Sequence, residues 1–440
     1  MLDIKFIRES QKELKKAIKN KGIDLDLDKL LAVDDKRVGL LREIEKLNAE
    51  KNNINNLIRS AKTEKERKKI IEDGRKIKNK IETIEPKFKK IQQEFDLLMA
   101  KVPIIPSPDT PIGKNEADNA EIYRWGEKPK LAFSPKDHIE LGKQLDILDM
   151  ERGKKVAGYR GYYLKNEGAQ LVMAMMMYAF NKMVKRGYIP MIPPTLVKGF
   201  SLFGTGYFKG LKYDDKVDEL YQIAGSDKEA GGAISKEKKF LVGTAEPSLL
   251  AYYAGEVLKE ENLPLKISGY SQCYRSEIGS YGKDTKGIYR VHEFMKIEQV
   301  IICKADIKEA EKLQEEMLGI SKEILEELGL LYRQIIICAG DLSPGKYRQY
   351  DLEVYSAAND WYRECGSASI FLDWQARRLN VKYADKEGKK KYVYMLNNTG
   401  LASPRILIAI LENYQQADGS VKIPKVLREY MGKDIIRPRK

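Results

Sequence analysis

Charged and aromatic side chains recur in segment 267–300 in a pattern that is typical of a binding site. The segment reads as two strands joined by a loop that contains glycine and lysine, residues 278–288. Because side chains alternate between the faces of a strand, Arg275 and Glu277 are expected on one face. One face of the second strand is expected to carry Arg290, His292, Phe294, Lys296 and Glu298. Charges usually mark a solvated face. Here the opposite face is not cleanly apolar either, which favours the polar floor of a site.

Two further pairs combine a carboxylate with a hydroxyl. Thr244 and Glu246 end a predicted strand, 240–246, and are expected on the same face. Glu364 and Ser367 offer oxygen ligands that suit a hard cation such as Mg²⁺. Their spacing points the two side chains to opposite faces of a regular strand, so a shared site requires a β-bulge.

An arginine lies where a helix begins. Ser403 is predicted as the N-cap of a final helix, and Pro404 as its first residue. Arg405 then faces the positive end of the helix dipole, at a cost of about 0.3–1 kcal/mol. A bound anion such as a phosphate would offset that cost, which places Arg405 in a site.

The elements that must position these residues form a mixed fold. A long helix is predicted over 169–186, closed by Gly187, and the final helix begins near Ser403. Strands are predicted at 240–246, 266–276, 289–302, 361–372 and 391–397. Neighbouring strands joined by short loops favour an antiparallel sheet flanked by helices, an α+β architecture.

Composition limits the chemistry and the location. The 440 residues are 42% hydrophobic and 33% charged, enough for two or three domains. The two histidines and four widely spaced cysteines do not favour a catalytic triad, a zinc site or a disulfide framework. The longest apolar run, 171–180, is too short to cross a bilayer, and the first residues lack a signal-peptide core. A cytoplasmic protein is therefore expected.

The first hundred residues are predicted to form a helical arm. Apolar residues at 3–4 spacing run from Leu40 to Ala61 and again from Ile70 to Leu98. Two helices joined by segment 62–69 should pack as an antiparallel coiled coil about 45 Å long. Pro86 falls on its outward face. Residues 101–112 contain four prolines and stop the helical period, which sets the boundaries: arm 1–101, linker 102–119 and second domain 120–440.

The positive charge is concentrated near the tip of this arm. Residues 59–80 hold ten basic and four acidic side chains, six of the fourteen net positive charges of the chain. Charge runs more often only solvate an exposed turn. A basic protruding arm on a basic protein also fits contact with the backbone of a nucleic acid, and both interpretations stay open at this point.

These motifs resemble those of class II aminoacyl-tRNA synthetases, and in detail the seryl-tRNA synthetase family. YRSE with R-x-H-x-F resembles motif 2, GLASPR motif 3, and RGYIPMIPPTLV motif 1, with Pro194 at its proline position. GTAEPSLL resembles the serine-binding loop, and the helical arm resembles the one that grips the long variable arm of serine tRNA. The resemblance covers essentially the whole chain. It implies a homodimer that activates serine with ATP and Mg²⁺ and transfers it to the terminal adenosine of tRNA, with selenocysteine tRNA an open question.

The resemblance also implies residue roles. Serine would contact Thr244, Glu246, Arg275, Glu298, Asn397 and Thr399. ATP would contact Arg275, Ser276, Glu277, Arg290, Val291, Phe294, Glu364, Ser367 and Arg405, with Arg275 and Arg405 catalytic. Mg²⁺ would be held by Glu364 and Ser367, and tRNA by Arg59, Lys62, Arg67 and Lys68. The sequence departs from the family pattern at Cys365-Gly366, at Ser369-Ile370, at Pro247-Ser248 and in segment 224–239.

Two other functions compete with this interpretation. A related ligase would load a small amino acid onto a carrier protein, but such relatives lack the basic arm. A catalytically silent RNA-binding or structural paralogue would not need Arg275, Glu277, Glu364 and Arg405, all of which this sequence retains.

Overall fold

The computed structural model describes residues 2–225, 228, 232–235, 237–278 and 286–439. Residues 279–285 of the predicted loop 278–288 lie outside the described residues. So do residues 226, 227, 229–231 and 236 of segment 224–239. Within the described residues the helices are α1 Ile4–Glu9, α2 Gln11–Asn20, α3 Leu27–Ser60, α4 Glu64–Lys101, α5 His138–Gln144, α6 Met150–Ala157, α7 Asn166–Lys185, α8 Gly199–Thr205, α9 Glu246–Ala251, α10 Ile307–Glu327, α11 Trp374–Leu379, α12 Ser403–Asn413 and α13 Arg428–Met431.

The strands are short except around one large sheet. They are β1 Ala120–Trp125, β2 Leu148–Asp149, β3 Tyr163–Leu164, β4 Ile189–Met191, β5 Leu196–Lys198, β6 Tyr221–Gln222, β7 Lys239–Leu241, β8 Val257–Lys259, β9 Leu265–Tyr274, β10 Glu293–Cys303, β11 Tyr332–Ile336, β12 Arg348–Ser356, β13 Trp361–Leu372, β14 Lys382–Ala384, β15 Lys390–Tyr392, β16 Tyr394–Ala402, β17 Val421–Lys422 and β18 Ile435–Ile436. The contacts divide the chain into two compact units, one of residues 2–19 with 23–103, the other of 20–22 with everything from 104 onward.

The first unit contains the predicted pair of long helices, α3 and α4. Leu47 of α3 packs against Ile81 and Ile84 of α4, and Ile54 faces Gly74, so the helices run antiparallel. The connection is shorter than the predicted 62–69. Thr63 accepts the N–H of Glu66 in a capping box, which starts α4 at residue 64. Pro86 lies exposed within α4, away from the seam, as expected.

The second unit is built on a sheet of eight strands among the described residues, in the order β1-β11-β12-β13-β16-β10-β9-β4. Neighbouring strands are antiparallel except β4 and β9, so the predicted antiparallel sheet is confirmed. Helices α7, α10 and α12 pack against the sheet and bury their apolar residues. The helices predicted at 169–186 and near 403 correspond to α7 and α12.

Several predicted strand limits were wrong. The strand predicted at 240–246 ends at Leu241. The strands predicted at 266–276 and 289–302 are also shorter at the loop, so Arg275, Arg290 and His292 lie outside β9 and β10. Strands β11 and β12 were not predicted. Residues 104–119 of the predicted linker belong to the second unit, in which the Ser107 N–H donates to the Tyr347 carbonyl oxygen at 2.8 Å. No helix in the described part of the chain is long and apolar enough to cross a membrane.

Glu167, in the first turn of α7, forms ion pairs with Lys433 and Arg439 at 3.0 and 2.9 Å. Burial disfavours its charged form, but these partners outweigh burial and lower its pKa to about 2. A lowered carboxyl pKa stabilises the fold above the ordinary value and loses that effect as the pH falls towards 2. We expect Glu167→Gln to lower the free energy of unfolding at pH 7 by only about 1 kcal/mol. The effect is small because Lys433 and Arg439 are exposed and solvent screens both ion pairs.

Thermal melting at pH 7 and pH 3 measures this difference. The gap in Tm between Glu167→Gln and the parent should narrow at pH 3, and Glu151→Gln, which alters an exposed glutamate, should leave Tm unchanged. A gap that does not narrow with acid would assign the loss to packing instead of charge.

Candidate active site

The loop end of the β9–β10 hairpin carries Arg275, Glu277 and Arg290. Arg275 follows the last residue of β9 and is held by backbone, because its N–H donates to the His292 carbonyl oxygen at 3.0 Å. Its Nε donates to the Gly243 carbonyl oxygen at 3.2 Å. Glu277 has a φ of +54°, and its carboxylate accepts from Arg290 Nη1 at 3.1 Å. Irregular backbone, not the predicted strand alternation, therefore turns these residues inward.

These side chains surround a cavity of about 380 Å³. Twelve of the predicted serine, ATP and metal residues line it: Glu246, Arg275, Glu277, Arg290, Val291, Phe294, Glu298, Glu364, Ser367, Asn397, Thr399 and Arg405. Thr244 lies behind the wall and Ser276 beside it, outside the lining. The structure therefore gathers in one place residues that lie up to 159 positions apart in the sequence.

The floor of the cavity comes from β10 and β16, where alternation holds. Glu298 pairs with Thr399 across the two strands, and a bulge between Ile297 and Glu298 precedes this pair. Lys296 forms a buried ion pair with Glu298. Thr244 does not reach the cavity, but its hydroxyl donates to Glu298 Oε2 at 3.0 Å. Thr244 thus orients a cavity carboxylate from behind.

Glu246 lies in the wall of the cavity and is almost completely buried. Its carboxylate accepts from Tyr207 Oη at 2.8 Å, Gln375 Nε2 at 2.7 Å and Asn397 Nδ2 at 2.6 Å. Burial raises the pKa of Glu246, and the nearby Glu298 carboxylate raises it further. The prediction that Glu246 ends a strand was wrong, because Glu246 is the first residue of α9.

The bulge required for Glu364 and Ser367 is present. On β12 and β13, Leu352 pairs with Gly366 and Glu353 with Glu364, so Cys365 is the extra residue. The bulge brings Glu364 and Ser367 to the same cavity. Cys365, where the sequence differs from the family pattern, is therefore the residue that the bulge leaves unpaired.

Arg405 projects from the first turn of α12 into the cavity. Its Nη1 donates to the Glu364 carbonyl oxygen at 2.6 Å and to Glu364 Oε2 at 3.2 Å. Burial would raise the pKa of Glu364, but Arg405 and Arg275 outweigh it and hold that pKa below its usual value. The cap prediction was wrong, since Ala402 is the N-cap. The Ser403 hydroxyl instead accepts the N–H of Met295 at 3.1 Å.

Thirteen further lining residues in the described part of the chain were not among the predicted site residues, and three of them, Tyr207, Lys346 and Gln349, carry polar side chains that contact their neighbours in the wall. Lys346 donates from Nζ to Gln349 Oε1 at 2.7 Å, and burial lowers its pKa. Tyr207 donates to Glu246, and burial raises the Tyr207 pKa well above its usual value. Lys346 and Gln349 lie in a loop and on an unpredicted strand, and no sequence signal marked them.

The cavity thus combines a deep acidic end with an arginine-lined mouth. Glu246 and Glu298 suit a bound ammonium and hydroxyl, whereas Arg275, Arg290 and Arg405 suit phosphates. Phe294 lies beneath Arg275, with 5.3 Å between the guanidinium carbon and the ring centre. This arrangement can bring an amino acid next to a nucleotide.

Models of two known protein families match this chain. The family model described as "Seryl-tRNA synthetase N-terminal domain" matches residues 1–106, and "tRNA synthetase class II core domain (G, H, P, S and T)" matches 233–414. A curated serine–tRNA ligase of Borrelia garinii is 39% identical over 437 residues, 98% of each chain. The chain belongs to the seryl-tRNA synthetase family. The ligase of Deinococcus radiodurans is 39% identical over 432 residues, again covering 98% of each chain.

Solved structures of seryl-tRNA synthetases agree with the fold. The Pyrococcus horikoshii enzyme, solved with ATP, matches with a TM-score of 0.87 at 33% identity over the whole of both chains. The cytoplasmic Naegleria fowleri enzyme, solved with AMP, matches with a TM-score of 0.83 at 27% identity, covering 100% of this chain and 99% of that one. The predicted family and α+β class II fold are confirmed. The chain is an ATP-dependent ligase that joins serine to tRNA.

Proposed function

We propose that both half-reactions take place in the cavity, with serine at the acidic end. The observation that carries this assignment is the buried pair Glu246 and Glu298 beside Arg275. Glu246 holds the serine ammonium group, and Thr244 orients the Glu298 carboxylate from behind the wall. The serine carboxylate lies on Arg275, and its hydroxyl faces Glu298 and Thr399, with Asn397 lining the pocket.

ATP occupies the mouth in this proposal. Glu277 reads the adenine amino group, Phe294 stacks on the base, and Ser276 and Val291 flank it through their backbone. Arg275 contacts the α-phosphate, and Arg290 and Arg405 contact the outer phosphates. Four positive or aromatic groups around one polyanion match the requirement of phosphoryl transfer, which needs positioning and charge stabilisation more than a base.

Glu364 and Ser367 would hold Mg²⁺. Both are oxygen donors on one wall of the cavity, and the lowered pKa of Glu364 keeps its carboxylate charged. These residues therefore fit a hard divalent cation. When bound, such an ion supplies positive charge next to the phosphates.

In the first step the serine carboxylate attacks the α-phosphorus in line. The bond to the bridging oxygen of the β-phosphate breaks, and pyrophosphate leaves towards Arg290 and Arg405. Arg275 contacts both reacting groups and spreads the negative charge that develops at the α-phosphorus. In the second step a hydroxyl of the terminal adenosine of tRNA attacks the seryl carbonyl carbon. AMP leaves, and the hydroxyl proton is lost to solvent or phosphate.

The remaining parts of the proposal concern the whole protein. Residues 1–101 form the tRNA-binding arm, 102–119 the linker and 120–440 the catalytic domain. The arm contacts the long variable arm of serine tRNA, the enzyme is a cytoplasmic homodimer, and it serves protein biosynthesis. The exposed, basic tip of the arm supports the tRNA contact.

Amino-acid-dependent exchange of pyrophosphate into ATP tests the activation step without tRNA. Exchange with serine, and far less with threonine, alanine or glycine, is expected. Alanine and glycine lack the hydroxyl and would leave Glu298 and Thr399 without that partner, whereas threonine adds a methyl group that the pocket must accommodate. Preferred exchange with another small amino acid would overturn the serine assignment, and no exchange by folded protein with Mg²⁺ would favour a silent paralogue.

The arm tip gives a separate prediction. Four basic side chains at the tip are exposed: Arg59, Lys62, Arg67 and Lys68. The ion pair between Lys68 and Glu64, 3.3 Å apart, offsets the charge of Lys68 only weakly because both side chains are exposed to solvent. Replacing the four by alanine should lower kcat/KM for tRNA about 100-fold by removing phosphate contacts, and should leave pyrophosphate exchange unchanged.

A control replaces three exposed lysines of α4, Lys87, Lys89 and Lys90, which lie roughly 30 Å along the helix from the tip. The measurement is aminoacylation at several salt concentrations. Equal losses from the two sets of substitutions would show that general charge, and not the tip, binds tRNA.

A further inference from the structure

The buried histidine of α5 has no part in the site described so far. His138 is one of two histidines in the chain, is 2% exposed, and does not line the cavity. Its ring meets Tyr289 edge-on, with 5.2 Å between ring centres. Tyr289 does line the cavity, so the imidazole lies directly behind one of its walls.

The hydrogen bonds of His138 define one tautomer. The backbone N–H of Ile288 donates to Nε2 at 3.3 Å, so Nε2 carries no proton. Nδ1 therefore carries the proton and donates it to Glu412 Oε1 at 2.9 Å. Glu412 is fully buried and also accepts from the His138 N–H at 3.1 Å and from the Ser356 hydroxyl. The imidazole is thus held in place as an acceptor for the loop.

The loop end is pressed closely onto this imidazole. Gly287 has a φ of +66°, and a Cβ built there would lie 1.9 Å from His138 Nε2. Ile288 follows with its hydrogen bond, and Arg290 comes two residues later. Because the backbone cannot approach or withdraw without losing these contacts, His138 fixes the position from which Arg290 enters the cavity.

Glu412 connects the same contact to the second phosphate arginine. It lies on α12, whose first turn carries Arg405. A chain of hydrogen bonds thus runs from α12 through Glu412 and His138 to the backbone just before Arg290. The buried pair of His138 and Glu412 therefore fixes the position of Arg290 relative to Arg405.

We propose that His138 is a positioning residue for ATP, which places Arg290 relative to Arg405 through the Ile288 hydrogen bond. This inference rests on the proposed contact of Arg290 with the outer phosphates. It differs from a purely structural role for a buried histidine, which would alter stability without distinguishing ATP from serine.

Two substitutions separate the contacts of His138. The amide of glutamine reaches about as far as Nε2 and can accept from Ile288, whereas the shorter asparagine reaches only the Nδ1 position and Glu412. We expect His138→Asn to raise KM for ATP about tenfold, as for one lost hydrogen bond to a buried N–H. His138→Gln should stay within about threefold of the parent, because the backbone N–H of residue 138 still donates to Glu412 and keeps the connection to α12. KM for serine should change less than about twofold in both variants.

Pyrophosphate exchange at varied ATP and serine provides these constants, and thermal melting reports folding. Equal effects of the two substitutions, or parallel changes in both KM values, would contradict positioning. If His138→Asn does not fold, Gly287→Ala disturbs the same contact from the loop side and should also raise KM for ATP selectively. An unchanged KM for ATP in that variant would overturn the inference.

A double-mutant cycle separates failure of this inference from failure of the proposed ATP contact. If Arg290→Gln leaves KM for ATP unchanged, the contact of Arg290 with ATP is wrong, and the positioning role that depends on it falls with it. If Arg290→Gln raises KM but His138→Asn does not, only the positioning role fails. If His138 acts through Arg290, the double variant should be no worse than Arg290→Gln alone, whereas additive losses would contradict it.

Discussion

Replacing Arg275 by glutamine should lower serine-dependent pyrophosphate exchange by about 10³-fold or more. Arg275 is the one group proposed to contact both the serine carboxylate and the α-phosphate, where charge develops in the transition state. Burial disfavours its charged form, but Tyr207, Glu364 and other neighbours raise its pKa, so the cation persists inside the protein. A neutral amide at this position leaves those charges without compensation.

Arg275→Lys is the matched control, because it keeps the charge but not the planar pair of donors. We expect it to recover less than a tenth of the lost activity, since a point charge cannot contact two oxygens on different groups in a fixed geometry. Exchange rates are compared at saturating ATP and serine, with thermal melting as a check of folding. Full activity in Arg275→Lys would show that only the positive charge of Arg275 matters. Full activity in Arg275→Gln would show that Arg275 takes no part in the mechanism.

Sequence patterns predicted the site best where local geometry alone decides orientation. Alternation on β10 correctly placed Phe294, Lys296 and Glu298 on one face, because a paired strand has a fixed period of two. The spacing of Glu364 and Ser367 predicted a bulge, because both side chains can share a face only with an extra residue between them. Both predictions depend on a few neighbouring residues, which the sequence contains.

The pattern failed where tertiary contacts override the local period. Arg275 and Arg290 lie beyond the ends of their strands, where a hydrogen bond to His292 and irregular backbone set their direction. Glu246 begins a helix, and Pro247 directly after it was the available signal, since proline favours the first helical turn. Lys346 reaches the cavity from a loop, and only the assembled sheet brings it there.

Replacing Glu246 by glutamine should separate stability from activity. A buried carboxylate next to a second one costs folding free energy, which the hydrogen bonds from Tyr207, Gln375 and Asn397 only partly offset. The neutral amide removes this cost, so Tm at pH 7 should equal or exceed that of the parent. The same change removes the negative charge proposed to hold the serine ammonium, and kcat/KM for serine should fall about 10²- to 10³-fold.

The pH dependence follows from the raised pKa of Glu246. A carboxyl whose pKa is raised on folding destabilises the protein when ionised, and that cost disappears as the pH falls and the group is protonated in the folded state. The Tm advantage of Glu246→Gln should therefore be greatest near neutral pH and shrink towards pH 4.5. Over the same range KM for serine of the parent should rise, because protonation removes the ammonium partner.

Tyr207→Phe tests whether the charge or the surrounding hydrogen bonds matter more. It removes one donor to the Glu246 carboxylate without changing its ionic charge, so we expect only about a fivefold loss in kcat/KM for serine, the size of one hydrogen bond. Melting curves and serine kinetics at pH 5, 6 and 7 compare the two variants with the parent. A Glu246→Gln protein that is less stable and still binds serine normally would mean that Glu246 supports the fold through Gln375 and Asn397, and that another group holds the amine. A Glu246→Gln protein that is more stable but no longer binds serine would mean that the cavity keeps an unfavourable buried charge because serine binding requires it.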